Sequence, residues 1–138
     1  MTTKPWLSQY PPEIPHTLKY EPIPVQEYLT RAFHKYPEKV AIHFLGKDVT
    51  YHELYESSLK FANYLRSIGI KKGDRVAIML PNCPQNVIAY YGILYAGGIV
   101  VQTNPLYTER EIAYQMKDSG AKAILSLDIL FPRISKVL

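Results

Sequence analysis

The sequence has 138 residues, with 16 lysines and arginines against 12 aspartates and glutamates, which gives a formal net charge of +4. Apolar residues make up 47% of the chain and charged residues 20%, a composition that excludes collagen-like, coiled-coil and wholly disordered proteins. A chain of this length can bury one real hydrophobic core. Its single cysteine, Cys83, excludes a disulfide framework.

Metal and nucleic-acid sites are both disfavoured by the spacing of the residues that would form them. The four histidines are scattered along the chain, and no Cys/His grouping has the spacing of zinc ligands. The only cluster of positive charge is Lys71, Lys72 and Arg75, with Asp74 inside it. A nucleic-acid surface normally has denser basic character, so the cluster is interpreted as a solvated turn.

Residues 76–108 contain no charged side chain, and the most apolar stretch covers residues 87–101. These 15 residues are too few for a membrane span, which needs about 20. The stretch therefore predicts a buried helix followed by a buried strand, and no transmembrane segment. The first 20 residues hold no apolar core of signal-peptide length, so a cytoplasmic location is expected.

The first predicted elements are an extended arm, a helix and a hairpin. Residues 1–24 contain six prolines, which predicts an arm with no regular structure, anchored by the side chains of Trp6, Leu7, Tyr10 and Tyr20. A helical stripe over residues 25–36 predicts the first helix, which Pro37 ends. Residues 40–44 and 47–50 are rich in strand-forming types and flank Leu45-Gly46, which predicts a hairpin with Gly46 where a positive φ is needed.

The next helix begins at a capping box formed by Thr50 and Glu53 and is ended by Gly69 in a left-handed conformation. Its predicted apolar face consists of Leu54, Phe61, Ala62, Leu65 and Ile68. A second capping box, Thr108 with Glu111, begins a later helix that Gly120 ends.

Strands and helices alternate through the rest of the chain. Strands are predicted at 76–80, 99–102 and 123–126, with helices at 85–96 and 109–119. This order, with short loops, is typical of parallel βαβ units, so the predicted fold class is α/β.

A last, incomplete helix is predicted near the end of the sequence, with Leu130, Ile134, Val137 and Leu138 on one side. Residues 131–138 are half apolar, which differs from the polar, frayed ends of most domains. We therefore expect the chain to be part of a longer protein, with an extended arm over 1–24 and an incomplete α/β unit over 25–138.

No motif of phosphate binding or nucleophilic catalysis is complete. The nearest approach to a phosphate loop runs from Gly92 to Gly97 and is followed by Gly98 where lysine is needed, and no dinucleotide-binding glycine pattern occurs. Cys83 has no histidine next to it in the sequence and is interpreted as a packing residue. His43 and His52 are interpreted as surface or packing residues.

Loops that follow parallel strands are the usual place for ligands in an open α/β sheet. Two such loops are predicted at residues 81–84 and 103–107, and each contains one asparagine, Asn82 and Asn104. Asparagines beside prolines more often satisfy local backbone donors than bind ligands, so we expect both to stabilise turns.

A series of motifs is distributed along nearly the whole chain: Thr50-Tyr51-x-Glu53-Leu54, Gly69-x-x-x-Gly73-Asp74-Arg75-Val76, Leu80-Pro81-Asn82, Gly92-x-x-x-Ala96-Gly97, Asn104-Pro105-Leu106-Tyr107-Thr108-x-Arg110-Glu111 and Asp118-Ser119-Gly120-Ala121. In order and spacing, these motifs resemble the opening of the adenylate-forming enzymes, and within them the bacterial long-chain fatty-acid CoA ligases.

The resemblance implies a fold and an activity. Such enzymes use ATP and Mg²⁺ to convert a fatty acid to an acyl-adenylate and then transfer the acyl group to coenzyme A. Their phosphate loop, adenine-side aromatic segment, ribose-binding aspartate and C-terminal lysine match no position here. Residues 25–138 would thus be part of the N-terminal subdomain, and the resemblance assigns no catalytic, cofactor-binding or metal-binding residue to this chain.

Several expectations about activity and partners follow from the resemblance. The chain alone should be structural and inactive, with the remainder of the parent enzyme as its partner. Self-association through exposed apolar surface or a sheet edge is expected, as is peripheral membrane contact of the parent enzyme. A free-standing, non-catalytic α/β interaction module is the alternative, and a small nucleotide sensor is a third interpretation that would require a phosphate loop.

Overall fold

The computed structural model describes residues 4–137, in which five helices and five strands follow one another in the predicted order. The helices are α1 Val25–Lys35, α2 Tyr51–Ser67, α3 Pro84–Tyr95, α4 Glu109–Ser119 and α5 Phe131–Ile134. The strands are β1 Val40–Phe44, β2 Lys47–Thr50, β3 Arg75–Met79, β4 Ile99–Gln102 and β5 Ala123–Ser126. Short 3₁₀ helices occupy Pro5–Gln9 and Asp128–Leu130.

The parallel sheet has the strand order β4-β3-β5, so β3 is the central strand. Alternate side chains of β3 face opposite layers. Val76 and Ile78 pack against α2 and α3, and Met79 packs against Ile112 of α4 and Ile134 of α5. The sheet therefore separates two helical layers, and the predicted α/β class with βαβ units is confirmed.

The hairpin of β1 and β2 forms an antiparallel sheet that is separate from the parallel one. Gly46 has the predicted positive φ of 76°, and Leu45 also has a positive φ, 48°. Two positive φ values in a two-residue loop indicate a turn of the I′ kind, which matches the twist of the strands. The left-handed conformation of Leu45 was not predicted.

Helix α2 begins at the predicted capping box: the Glu53 amide donates to the Thr50 hydroxyl at 3.2 Å, and the Thr50 amide donates to the Glu53 carboxylate at 2.8 Å. Its predicted apolar face is right except for Ile68, which is 50% exposed. Ile68 is the C-cap residue of α2, beyond the last helical position, so its side chain leaves the apolar stripe.

The N-terminal arm differs from the prediction in two ways. Pro5–Gln9 forms a 3₁₀ helix, where no regular element was expected. Trp6 is 56%, Tyr10 41% and Tyr20 78% exposed, so these three residues do not anchor the arm, and of the four predicted anchors only Leu7 is half-buried. The contact that ties the arm to the fold is electrostatic: the Arg31 guanidinium of α1 donates to both carboxylate oxygens of Glu21, at 2.7 and 2.8 Å.

The apolar run of residues 87–101 is a helix followed by a strand, as predicted, and α3 packs closely on α2. Within residues 4–137, no helix is both long and apolar enough to cross a membrane.

The last predicted helix is shorter than expected. A 3₁₀ helix at Asp128–Leu130 leads into the single turn of α5. Ile134 is buried and Leu130 and Val137 pack beside it, so the predicted apolar side is right. The amide of Val137 donates to the Ile134 carbonyl three residues back, a tight turn that replaces α-helical bonding. Leu138 lies outside the described residues.

Candidate functional site at the carboxyl edge of the sheet

The carboxyl ends of β3, β4 and β5 meet at one edge of the parallel sheet. This edge, the carboxyl edge below, is where ligands gather in open α/β sheets. It is formed by the β3–α3 loop, the β4–α4 loop and the segment that follows β5. The two loops singled out from the sequence therefore do lie together.

The β3–α3 loop is held by a residue that the sequence analysis missed. Asn86, in the first turn of α3, donates from its side-chain amide to the carbonyls of Leu80 at 3.1 Å and Pro81 at 3.3 Å. The prediction that Asn82 stabilises this loop is wrong: its side chain is exposed and forms no hydrogen bond with residues 4–137. Cys83 is half-buried at the N-cap of α3. The sequence feature that could have identified Asn86 is its position two residues after Pro84, at the start of a predicted helix.

The β4–α4 loop is closed by local hydrogen bonds, as predicted for Asn104. Its side-chain oxygen accepts from the Leu106 amide at 2.9 Å, which makes an Asx turn. The capping box then begins α4, with the Thr108 amide donating to Glu111 at 2.8 Å. These bonds from the Thr108 amide and hydroxyl hold the pKa of the Glu111 carboxyl below its ordinary value.

Arg133 connects the third segment of the edge to this loop. Its guanidinium donates to the carbonyls of Tyr107 at 3.0 Å and Pro105 at 3.5 Å. The position of Arg133 after the last strand gave no indication of this contact, which depends on the tertiary fold. Beside it, Lys136 forms an ion pair with Glu109 at 2.7 Å.

A shallow depression of about 420 Å³ lies at this edge and is lined by Leu106, Thr108, Glu109, Arg110 and Arg133. Two of its three charged groups have protein partners: Arg133 bonds to loop carbonyls and Glu109 to Lys136. Only Arg110 among the lining cations has no bond to a side chain or carbonyl of residues 4–137.

The other reactive residue types lie away from the carboxyl edge. His43 pairs with Asp48 across the hairpin at 2.5 Å. His52 is exposed beside Phe33, with 5.6 Å between ring centroids. Among the described residues, no three His, Cys, Asp or Glu side chains are grouped so that they could hold a metal ion.

ATP, Mg²⁺ and coenzyme A do not fit the groups of this edge. A bound triphosphate requires several free backbone amides or cations, and Mg²⁺ requires carboxylates beside the phosphates. Here the loop amides of Leu106 and Thr108 are bonded within the loop, and the Glu111 carboxylate is used by the cap.

Comparison with known proteins places these features in one family. The family described as AMP-binding enzyme matches residues 29–136. A long-chain-fatty-acid–CoA ligase of Bacillus subtilis is 53% identical over 97% of this chain and 24% of its own length. A benzoate CoA ligase structure from Burkholderia xenovorans superposes with a TM-score of 0.77 at 28% identity, covering 81% of this chain and 23% of that one.

The matched structures also include an isolated N-terminal subdomain. That of NpsA from Klebsiella oxytoca superposes with a TM-score of 0.73 at 28% identity, over 77% of this chain and 27% of the subdomain. The chain spans about a quarter of the length of the curated relatives it matches. With the family match covering most of its residues, the chain belongs to the AMP-binding enzymes.

Proposed function

We propose that this chain is an N-terminal portion of a long-chain fatty-acid–CoA ligase that uses ATP, Mg²⁺ and coenzyme A. The observation that carries the proposal is the 53% identity to the Bacillus subtilis ligase across 97% of the chain. The same alignment covers 24% of that ligase, so most of the ligase has no counterpart here.

Within the parent enzyme this chain acts as a scaffold. Its two capping boxes fix the starts of α2 and α4, and Arg133 and Asn86 hold the loops of the carboxyl edge. Apart from Arg110, the charged groups that line that edge bond to other protein groups, which supports an architectural role. The groups that bind ATP, Mg²⁺ and coenzyme A belong to the rest of the enzyme, and no residue of this chain is catalytic.

A chimera tests the assignment. The matching quarter of the Bacillus subtilis ligase is replaced by this chain, and acyl-CoA formation from a long-chain fatty acid is measured. We expect this chimera to retain activity. A control chimera, in which a scrambled βαβ segment of equal length replaces the same quarter, should have none. A folded chimera without activity contradicts the assignment and favours the free-standing interaction module.

The partner of this chain is then the remainder of the parent enzyme. In the described sheet, β4 and β5 each pair on one side only, and Phe131 and Ile129 near β5 are largely exposed. Unpaired edges promote association, so the isolated chain self-associates. Light scattering coupled to size-exclusion chromatography tests this, and a monomer at high concentration contradicts it.

Because ATP and coenzyme A are cytoplasmic co-substrates, the proposed location is the cytoplasm.

A further inference from the structure

Helix α4 covers the sheet with one face and leaves the opposite face exposed. Ile112 is fully buried, and Met116 packs beside it against the core. Each residue of a helix turns the chain by about 100°, so Tyr114 lies nearly opposite both of them. Its side chain is 71% exposed. The outer face of α4 is therefore centred on Tyr114.

Four charged side chains surround Tyr114 on this outer face, and all four are exposed. Arg110 lies four residues before Tyr114, and Asp118 lies four residues after it. Glu111 and Lys117 lie three residues before and after it in the same way. Each position before Tyr114 is thus matched by the opposite charge at the same distance after it. The pattern is complementary to itself when one copy of the helix is reversed.

These charges cannot neutralise each other within one helix. Side chains on a helix interact when they are three or four residues apart. Arg110 and Asp118 are eight residues apart, which places them about 12 Å apart along the axis. In residues 4–137, no ion pair uses Arg110, Lys117 or Asp118. Because Glu111 is already bonded in the cap, Arg110 and Asp118 are the pair that needs an outside partner.

A second copy of α4 satisfies both charges at once. A twofold axis through Tyr114, perpendicular to the helix, places the second helix antiparallel to the first. Arg110 of each copy then lies opposite Asp118 of the other, and the two Tyr114 side chains meet at the axis. A twofold interface uses the same patch on both subunits, so this ion pair forms twice.

The shape and composition of the face also suit a protein partner. A depression of about 490 Å³ runs along α4 and is lined by Tyr107, Arg110, Tyr114 and Asp118, among others. Tyrosine and arginine are enriched at the centres of protein interfaces. A purely acidic or purely basic partner would leave Asp118 or Arg110 facing a like charge, so it matches the face less well than a second copy does.

We propose that the outer face of α4 binds the same face of a second copy of this chain. With 11 residues α4 is about 16 Å long, so the contact is smaller than a standard interface. The dimer is therefore weak and reversible, and salt weakens it. This contact uses a helix face and differs from association through the sheet edges. It is independent of the ligase assignment.

The test measures self-association of the 138-residue chain by sedimentation velocity over a range of concentrations. Arg110→Asp and Asp118→Arg each place like charges opposite each other at both ends of the contact. Both changes put a charge where the helix dipole favours it, so the fold should be kept, and circular dichroism checks this. Lys60→Asp, which makes the same charge change on an exposed lysine of α2, is the matched control.

We expect each of the two variants alone to associate at least about tenfold more weakly than wild type, because the symmetry applies each change twice. The control should stay within about twofold of wild type, as for an isolated surface charge. An equimolar mixture of Arg110→Asp and Asp118→Arg should associate nearly as well as wild type. In the mixed dimer the new aspartate faces the new arginine, and the unchanged Asp118 faces the unchanged Arg110.

Disulfide trapping locates the axis independently. In a Cys83→Ser background, Tyr114→Cys places a thiol on the axis, so mild oxidation should link two copies. Tyr64→Cys is the control, because Tyr64 is 57% exposed on α2, away from the contact. It should give little linked dimer.

Four results would overturn the proposal. They are a wild-type chain that is monomeric at every concentration, single variants that associate as well as wild type, a mixture that associates no better than its components, and equal trapping at positions 114 and 64. Association that persists unchanged in both single variants would assign it to the sheet edges instead.

Discussion

Gly92 of α3 lies directly against Phe61 of α2: a Cβ placed on Gly92 would be 2.7 Å from Phe61 Cδ1 and 3.0 Å from the carbonyl oxygen of Ser58. The first distance is shorter than a Cβ contact allows, and the second is tighter than most Cβ contacts and involves backbone that cannot move alone. The close approach of the two helices behind the central strand therefore depends on a glycine at this position.

Gly92→Ala should destabilise the fold in spite of alanine's higher helix propensity. Overpacking a core costs about 1–3 kcal/mol, and because one of the two contacts is with backbone, we expect a cost near the upper end of this range. Subtracting a propensity gain of about 1 kcal/mol leaves a net loss of about 2 kcal/mol in the free energy of unfolding. Urea denaturation measures it. Adding Phe61→Leu should make the alanine less costly, as a double-mutant cycle would show. A Gly92→Ala protein as stable as wild type would contradict the packing argument.

Leu45→Asn should stabilise the hairpin. Leu45 has a φ of 48° and is 86% exposed, so it is strained and contributes little burial. Asparagine tolerates the left-handed conformation and Asn-Gly favours the I′ turn, so the expected gain is about 1 kcal/mol. Thermal or urea unfolding measures it. Leu106→Asn is the control, because Leu106 is 83% exposed without a positive φ and should give no gain.

Glu111→Gln should reduce the loss of unfolding free energy that occurs as the pH falls into the acid range. The folded-state pKa of Glu111 lies below its ordinary value of 4.5, chiefly because the Thr108 amide donates to its carboxylate. A lowered pKa contributes stability above pH 4.5 that is lost as the pH falls through the folded value. Glutamine can keep the cap bond but does not titrate.

Urea unfolding between about pH 6 and pH 3 compares the two proteins on either side of this carboxyl titration. The difference in unfolding free energy between wild type and Glu111→Gln should shrink with falling pH. Glu38→Gln, which changes an exposed carboxylate between α1 and β1, serves as control and should follow the wild-type curve. A Glu111→Gln curve parallel to wild type would show that the cap carboxylate has an unperturbed pKa.

Arg133→Met should loosen the β4–α4 loop. It removes the donor to the carbonyls of Tyr107 and Pro105, so we expect a loss of about 1 kcal/mol and faster hydrogen exchange at the amides of Leu106 and Tyr107. Arg110→Met, on the same depression, is the matched control and should leave exchange unchanged. Equal exchange in the two variants would mean that Arg133 does not hold the loop.

Features that depend on neighbours in sequence were predictable. The two capping boxes and the left-handed Gly120 each need only residues within one turn, and all three are present. The Asx turn of Asn104 is equally local. The order of strands and helices was predictable because connection lengths allow few alternatives for parallel strands.

Features that depend on distant residues were not predictable. Trp6 and Tyr20 are apolar by type, but their burial requires a surface that their own segment does not specify. Arg133 and its loop are 26 residues apart in sequence and meet only because β5 lies beside β3. Lys71, Arg75 and Lys122 likewise come together from separate loops at the amino edge of the sheet, so a scan of consecutive charges finds only part of this group.

The scaffold role of the chain is tested most directly by ATP–pyrophosphate exchange in the presence of a long-chain fatty acid. We expect the 138-residue chain alone to give background exchange, and the chimera with the Bacillus subtilis ligase to exchange well above it. Exchange by the chain alone that a substitution in its own carboxyl edge abolishes would contradict the account, because the reactive groups would then lie within this sequence.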